Sequence, residues 1–382
     1  MTIPRTGPLH GVRVIELVGI GPGPFAGMLL ADLGADVIRI DRPGGAGLVV
    51  PTDQDMLSRG RPSAAVNLKD PRAIDVVLDL VERADILIEG FRPGVTERLG
   101  LGPEACHARN AALVYGRITG WGQDGPLAQT AGHDVNYISV AGALDPIGRA
   151  GGPPQIPLNL LGDFAGGSMY LVTGVLAALT HARATGEGQV VDAAITDGTA
   201  HLLGMQLSMQ AAGLWSTDRG TNLLDTGAPY YDVYETSDGR WMSVGALEPR
   251  FYEVLISVLG IEDVPDRNDI GQWDALRGVL AETFASRTQA EWTALFNGTD
   301  ACVAPVVPMH EAAQHPHNVA RQTYVEHEDL VQPAPAPRFS RTPATLTTPP
   351  QRPGANTAEA LAAWGIDDVD RLIADGVVTQ AD

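Results

Sequence analysis

The chain of 382 residues is poor in several features that mark particular protein classes. It has two cysteines, Cys106 and Cys302, far apart in the sequence, so we expect free thiols in a reducing compartment rather than a disulfide framework. No run of about eighteen uninterrupted apolar residues occurs, so no membrane span is predicted. The first residues lack a basic segment followed by an apolar one, so we expect no signal peptide and a cytoplasmic location.

Basic side chains are also scarce. Lys and Arg number 26 against 46 Asp and Glu, giving a net charge of −20, which makes nucleic acid and anionic membranes poor partners. The deficit is uneven: residues 1–120 hold 13 basic and 14 acidic residues, so the rest of the chain holds 13 and 32. The near-neutral N-terminal region is therefore where an anionic ligand is expected.

The hydrophobic pattern predicts the fold class. Strand-like and helix-like segments alternate over residues 8–200, which predicts an α/β fold with a largely parallel sheet. After about residue 222 the pattern changes to a hairpin with an Asp-Gly turn, followed by helical segments at 249–259 and 274–297. The Pro-rich stretch 333–354 predicts an extended strap, followed by a closing helix. We expect a large Rossmann-like domain (1–200), a linker (201–224), a smaller α+β domain (225–325), and a return segment with a C-terminal helix packing on the large domain (326–382).

The segment Gly19-Ile20-Gly21-Pro22-Gly23-Pro24-Phe25-Ala26-Gly27 occupies the place of a dinucleotide-binding loop, between a strand and a helix. The next strand ends at Asp41, where NAD enzymes carry a ribose-binding acid. Pro22 and Pro24, however, lack the N–H groups that a pyrophosphate needs. Arg42, directly after Asp41, suits an anionic group better than a ribose diol. The pattern predicts a Rossmann-like scaffold that does not bind NAD.

Basic residues collect in three loops of this region. They are Arg39 and Arg42, then Arg59, Arg61 and Lys69, then Arg92 and Arg98. The last pair follows a predicted strand end, where α/β folds bind ligands. Converging guanidinium groups suit a phosphate-bearing ligand, and the alternative is that each is a solvated surface charge.

Three further residues are candidates for proton transfer. His133 follows a Gly-rich loop, and imidazole titrates near about 6.5, although a surface or capping histidine explains it equally well. Asp163 stands where a helix is predicted to begin, so an N-cap role is sufficient, but Gly166 and Gly167 permit close approach of a ligand there. Glu248 precedes a proline that opens a helix, which also fits an N-cap.

No metal site is predicted. His315 and His317 form a His-x-His pair without further ligands at a recognised zinc spacing. Cys106 has no activating neighbour in sequence, so a catalytic thiol is not expected.

Six segments, in this order, resemble the family III CoA-transferases and, within that group, the α-methylacyl-CoA racemases. They are GVRVIELVGIGPGPFAGMLLADLGADVIRIDRP, IEGFRPGVTERLGLGP, TGWGQDGP, AGHDVNYIS, PLNLLGDFAGGSM and GAPYYDVYETSDGRWMSVGALEP. The resemblance covers about residues 8–345. It implies an interlocked homodimer, each subunit having a large Rossmann-like domain and a small α+β domain. It also implies an acyl-CoA substrate and no separate cofactor.

The resemblance assigns roles by position. It implies that His133 and Asp163 are the acid/base pair and that Glu248, reaching over from the other subunit, is the partner of His133. The residues implied to bind CoA or substrate are Arg42, Val66, Asn67, Leu68, Lys69, Gly90, Phe91, Arg92, Arg98, Gly132, Asp134, Asn136 and Tyr137. A backbone N–H near Asp134 is expected to stabilise the enolate oxygen.

The implied reaction interconverts the two configurations at Cα of a 2-methylacyl-CoA thioester, with one base on each face of a planar enolate. Two alternatives remain at this point. Family III CoA-transferases use the residue aligned with Asp163 as a nucleophile that forms an acyl-enzyme anhydride. A noncatalytic protein that binds CoA or acyl groups is the other. His133 favours the racemase, because a transferase needs no second proton carrier.

Overall fold

A computed structural model describes residues 6–17, 19–45, 50–327 and 329–381. By internal contacts the chain divides into two compact units. The first contains the described residues of 1–141, 158–202 and 319–382, and the second contains 142–157 and 203–318.

The strands, in chain order, are β1 (Arg13–Leu17), β2 (Asp36–Asp41), β3 (Ser63–Val66), β4 (Ile86–Glu89), β5 (Val114–Thr119), β6 (Val190–Ala194), β7 (Tyr231–Glu235), β8 (Trp241–Gly245), β9 (Val303–Pro305), β10 (Tyr324–His327), β11 (Leu330–Pro333) and β12 (Val378–Thr379).

The α-helices are α1 (Pro22–Asp32), α2 (Pro71–Val81), α3 (Val95–Leu99), α4 (Pro103–Arg109), α5 (Asp134–Val140), α6 (Met169–Thr185), α7 (Ile195–Leu202), α8 (Gly204–Ala211), α9 (Pro249–Leu259), α10 (Trp273–Phe284), α11 (Gln289–Phe296), α12 (Pro316–Arg321), α13 (Thr357–Ala363) and α14 (Val369–Ala374).

The first unit is built on a seven-stranded sheet in the order β12-β3-β2-β1-β4-β5-β6. All neighbours are parallel except β12, which pairs antiparallel with β3. The strands carry apolar side chains toward both faces. Ile15, for example, packs with α2, α4 and the C-terminal helices, while Val14 packs with α1 and α6. Burial on both faces is typical of parallel sheets covered by crossover helices, so the predicted α/β class with a large parallel sheet is confirmed.

The second unit has a three-stranded antiparallel sheet, β7-β8-β9, with α9, α10 and α11 around its core. The predicted hairpin is confirmed. The helix predicted over 274–297 is two helices, because Thr288 caps a new one: its hydroxyl accepts from the Glu291 N–H, and Glu291 accepts from the Thr288 N–H.

Residues 142–157, which the sequence pattern assigned to the large domain, belong to the second unit. Arg219 donates to Gly152 O (2.7 Å) and to Asp145 Oδ1 (2.8 Å), and Arg149 pairs with Asp232 (2.7 Å). These hydrogen bonds and ion pairs connect segments about 70 or more positions apart in sequence, so a local hydrophobic pattern cannot predict them.

One continuous helical stretch, Leu160–Thr185, is apolar and long enough to cross a membrane, with a mean hydropathy of 1.3 over its best window. Its face toward the sheet is that of a core helix, since Leu171 and Val175 are fully buried. A side chain on Gly116 of β5 would lie within 2.9 Å of both of them. Packing against the sheet therefore accounts for the buried apolar face of this stretch.

The two thiols have different environments. Cys106 is buried, its Sγ lies 3.4 Å from Leu101 O, and burial raises its pKa to about 12. Cys302 is exposed; desolvation and the nearby Glu248 and Asp300 also raise its pKa, but the residue is open to the reagent. Because the thiolate is the reactive form, iodoacetamide at pH 8 should label Cys302 and spare Cys106 in the native protein. Intact-mass analysis should give one adduct when native, two after unfolding, and none in native Cys302→Ser. Rapid native labelling of Cys106 would contradict the burial described here.

Candidate active site

The carboxyl ends of the parallel strands form one edge of the large sheet, and the strand order reverses between β1 and β4. In open α/β sheets such a reversal leaves a crevice in which ligands bind. Gly19 to Gly21 follow β1, and Gly90 to Arg92 follow β4. Two of the loops singled out from the sequence therefore border this crevice.

The loop after β1 lies beside Asp163. Gly21 caps α1 with a φ of 67°, which favours glycine, and a Cβ at this position would lie 3.3 Å from Asp163 Oδ2. Asp41 is buried, and its carboxylate accepts from Arg39 Nε (2.7 Å) and from the Ser63 hydroxyl. The residue at the ribose-binding position is thus engaged within the fold.

Asp163 lies inside a π-helix, Leu160–Ser168, that runs into α6, so its predicted N-cap position is wrong; Asn159 occupies the cap. Single π-helical turns are frequent at functional sites. The Asp163 N–H donates to Asp134 Oδ1 (2.7 Å), and Asn159 Nδ2 donates to Asp163 Oδ2 (3.3 Å). Burial raises the pKa of the Asp163 carboxyl; the Asn159 hydrogen bond and the nearby His133 oppose this, and the charge on Asp134 adds to it.

His133 is the N-cap residue of α5, and its side chain is exposed. Its backbone N–H donates to Asn136 Oδ1 (3.1 Å). The Tyr137 hydroxyl donates to the Gly132 carbonyl, and the Tyr137 ring meets Trp121 edge-on with centroids 4.9 Å apart. Asn136 and Tyr137, predicted to bind substrate, therefore also order the turn that carries His133.

Electrostatic effects link these groups to Arg92. Burial raises the pKa of Tyr137, the charge on Asp163 adds to this, and Arg92 opposes it. Of the residues predicted from the sequence, the structure thus brings Asp134 into contact with Asp163, holds His133 and Tyr137 in the adjoining turn, and leaves Arg92 within electrostatic range of Tyr137.

The loop of Gly90, Phe91 and Arg92 rests on a buried ion pair. Glu89, 1% exposed, accepts from the Phe91 N–H (2.7 Å) and from Arg117 Nε (2.7 Å). Arg117 also donates to Glu97 Oε1 (2.7 Å). Glu97 lies in α3, the short helix that also carries the exposed Arg98. Glu89 and Arg117 hold this loop in place and were not singled out from the sequence, although Glu89 directly precedes the loop glycine.

The remaining predicted CoA residues lie farther along the same edge. Val66 is the buried last residue of β3, followed by Asn67, Leu68 and the exposed Lys69; the exposed Arg42 follows β2. The Asn67 N–H donates to Val377 O (3.1 Å), so the C-terminal segment orders this loop. Two strands separate β3 from β4, which places the two loops about 14 Å apart at the usual strand spacing.

Other arginines of the basic loops are internal. Arg61 is fully buried and pairs with Glu16, and Arg59 pairs with Asp32 (2.6 Å) and donates to Gln332 Oε1 (2.9 Å). A Cβ on Gly27 would lie within 2.3 Å of both ions of the Glu16–Arg61 pair, so this pair needs a glycine there. These guanidinium groups stabilise the fold and are not available to a ligand.

Glu248 belongs to the second unit, at the N-cap of α9. Its carbonyl accepts from the Phe251 N–H (3.1 Å) and the Tyr252 N–H (3.0 Å), and its exposed side chain makes no capping bond. The N-cap position of Glu248 is confirmed, but its carboxylate does not bond to the N–H groups of the helix.

Sequence reasoning also missed Asn159. It stands four residues before Asp163 in the segment Asn159-Leu160-Leu161-Gly162-Asp163, a spacing that brings two side chains together on a helix. That four-residue spacing could have predicted the contact between Asn159 and Asp163.

Comparison with known proteins places these residues in a family. The model of CoA-transferase family III matches residues 9–357. This chain belongs to CoA-transferase family III. It is 43% identical to alpha-methylacyl-CoA racemase of Mus musculus over 376 residues and to that of Homo sapiens over 377 residues, covering 97% of this chain and of each relative. A CAIB/BAIF family protein from Brucella suis has a similar structure, with a TM-score of 0.82 and 25% identity over 94% of this chain and 100% of that chain.

The buried pair Glu16–Arg61 gives a prediction about this family III chain. Arg61→Met should lower the free energy of unfolding by about 3–5 kcal/mol, because it leaves Glu16 buried without its hydrogen-bonded partner, with Arg39 as the remaining nearby cation. Burial already raises the pKa of Glu16, and loss of Arg61 should raise it further, so the folded variant retains a proton that the unfolded chain loses. The deficit should therefore grow as the pH rises through the acidic range, as urea unfolding at pH 5 and pH 8 would measure.

Arg72→Met is the control, because Arg72 pairs with Asp70 on the surface and should cost much less. If Arg61→Met weakened CoA binding while stability stayed unchanged, Arg61 would belong to the ligand site after all.

Proposed function

We propose that this protein is a racemase that interconverts (2R)- and (2S)-2-methylacyl-CoA thioesters by proton transfer at Cα. The observation that carries the proposal is the direct contact between the segments that hold the two proton carriers: Asp134, the residue after His133, accepts a hydrogen bond from the Asp163 N–H through its Oδ1 at 2.7 Å, beside the crevice at the sheet edge. The racemase name of the relatives that match at 43% identity along the whole chain supports the same activity.

The chemistry needs one group on each face of the reacting carbon. In one direction His133 takes the Cα proton, the electron pair moves into the thioester carbonyl to form an enolate, and protonated Asp163 delivers its proton to the opposite face. In the other direction the roles exchange. Burial, which raises the pKa of Asp163, favours the protonated carboxyl that the first direction requires. We propose the backbone N–H of Asp134 as a donor to the enolate oxygen.

We propose that the basic side chains along the sheet edge hold the nucleotide part of CoA. Arg92 and Arg98 follow β4, while Arg42 and Lys69 follow β2 and β3, and all four side chains are exposed. At the usual strand spacing the ends of β2 and β3 lie about 10 Å and about 14 Å from the end of β4, which suits an extended ligand with several phosphates.

We also propose that the active enzyme is a homodimer in which the partner subunit supplies Glu248 to His133. Large apolar side chains are left exposed in the first unit: Leu158, Leu160, Met169 and Leu202 are 43–69% exposed. Exposed apolar side chains in such numbers favour contact with a second copy.

Isotope exchange tests the racemase activity. Each pure enantiomer of a 2-methylacyl-CoA is incubated in deuterated water, and Cα deuterium is followed by NMR and configuration by chiral chromatography. The expected result is deuterium incorporation together with loss of optical purity, without any added acid. Exchange or CoA transfer that requires a free carboxylic acid acceptor would support the transferase alternative, with Asp163 as nucleophile. Absence of both reactions would favour a binding protein.

Variants test the two proton carriers. His133→Ala and Asp163→Ala should each lower inversion by about 10²-fold or more, because either loss leaves one face of the carbon without a proton carrier. Each should retain partial exchange from one enantiomer, and the two variants should prefer opposite enantiomers. Full inversion by either variant would remove that residue from the mechanism.

A binding experiment tests the nucleotide site. Arg92→Gln should weaken CoA binding by about tenfold, the effect of one lost charge-assisted contact, and leave pantetheine binding unchanged. Isothermal titration with both compounds would measure this, with Arg72→Gln as control. Equal weakening for pantetheine would place Arg92 away from the phosphates.

A further inference from the structure

The side chain of Asp134 is turned into the protein. The residue is 6% exposed, and its Oδ1 accepts a hydrogen bond from the Asp163 N–H at 2.7 Å. Its Oδ2 is buried and has no hydrogen-bond partner within the described parts of the chain. The carboxylate therefore has one strong contact, and that contact is to the backbone of Asp163.

The local helix geometry explains why this contact exists. N–H groups in the first turn of a helix have no partner within the helix, and a π-helix leaves more of them unpaired because each bond spans five residues. Asp163 is the fourth residue of the π-helix, so its N–H needs an outside acceptor. Asp134 supplies it.

Gly162 makes room for that acceptor. A Cβ at position 162 would lie 2.4 Å from Asp134 Oδ1 and 2.8 Å from Ile138 Cγ2. Any side chain there would displace the carboxylate or the helix, so Gly162, Asp134 and the Asp163 amide form one packed contact.

Asp134 is also the residue after His133, and the two begin α5 as its N-cap and first residue. One residue thus joins both proton carriers, covalently to His133 and by a hydrogen bond to Asp163. We propose that the side chain of Asp134 is a positioning residue that fixes the separation of His133 and Asp163. This inference rests on the racemase function proposed above and adds a role for the carboxylate to that of the Asp134 backbone.

Two substitutions separate the hydrogen bond from the rest of the residue. Asp134→Asn keeps an oxygen acceptor of the same shape, while Asp134→Ala removes it. In Asp134→Ala the Asp163 backbone is free to shift, and a displacement of about 1 Å can cost about 100-fold in rate. Inversion should fall by about that factor, and Asp134→Asn should restore most of it.

The comparison of exchange with inversion identifies a positioning role. His133 keeps its own anchor, the bond from its N–H to Asn136, so the enantiomer that presents its proton to His133 should still exchange in Asp134→Ala. The opposite enantiomer should lose exchange together with inversion. If Asp134 acts by positioning, calorimetry should give Asp134→Ala a CoA affinity close to wild type. A general folding defect would instead lower exchange from both enantiomers in the same proportion.

Asp225→Ala is the matched control. Asp225 is 8% exposed and accepts from the backbone N–H groups of Gly220 (2.9 Å) and Asn222 (2.7 Å) in the second unit. Its loss should lower the Tm but leave the ratio of exchange to inversion at the wild-type value. If Asp134→Ala fails to fold, Gly162→Ala displaces the same contact and should give the same split between enantiomers.

Three results would overturn the inference while the racemase proposal stands: inversion by Asp134→Ala at the wild-type rate, equal loss of exchange from both enantiomers, or Asp134→Asn as defective as Asp134→Ala. A wild-type enzyme with neither exchange nor inversion would overturn the racemase proposal, and this inference with it.

Discussion

The candidate site depends on how closely three backbone segments approach the side chain of Ile118 near the end of β5. Side chains built on Gly23 of α1, Gly90 after β4 and Gly167 of the π-helix would lie 4.0, 3.5 and 3.2 Å from Ile118 carbon atoms. With glycine at these positions, the loop after β1, the loop after β4 and the π-helix converge on one point of the sheet edge. A side chain at Gly167 would crowd Ile195 and Ile118, at 2.9 and 3.2 Å, so the π-helix can lie this close to the end of β5 only with glycine at that position.

Within that frame, charged residues divide into two groups by burial. Arg59, Arg61 and Arg117 are paired inside the first unit, where removing one partner would leave a buried charge. Arg42 and Arg92 are exposed at the ligand edge. The sequence could not separate the groups, because an arginine near a strand gives the same local pattern whether its partner is an anionic ligand or an acid distant in sequence. Glu16, which pairs with Arg61, and Asp32, which pairs with Arg59, lie 45 and 27 residues away from these arginines in sequence.

Hydrophobic pattern predicted the parts of the fold that are long and periodic. The alternation of strands and helices over 8–200, the hairpin of β7 and β8 and the helix at 249–259 stand where the pattern placed them, and the stretch after β11 has no regular element before α13. It missed β12, which is two residues long, and α14, whose cap Asp368 has a φ of 51°. Neither is long enough for periodicity to register, and tertiary pairing creates both. The π-helix was missed for another reason: its sequence is typical of the start of an α-helix, and the close contacts of Gly162 and Gly166 are with residues distant in sequence.

The position of Asp163 within that wider turn bears on the choice between its two possible chemistries. A carboxylate must be ionised to attack a thioester and protonated to donate to an enolate. Burial and the neighbouring Asp134 charge raise the pKa of Asp163, opposed by the Asn159 hydrogen bond and by His133. The net direction favours the proton donor. An ion pair with a lysine or arginine would have favoured the nucleophile, and within the described ranges Asp163 has no such ion pair. Burial is the largest of these effects, so the depth of Asp163 within one helical turn favours the proton donor that racemisation requires.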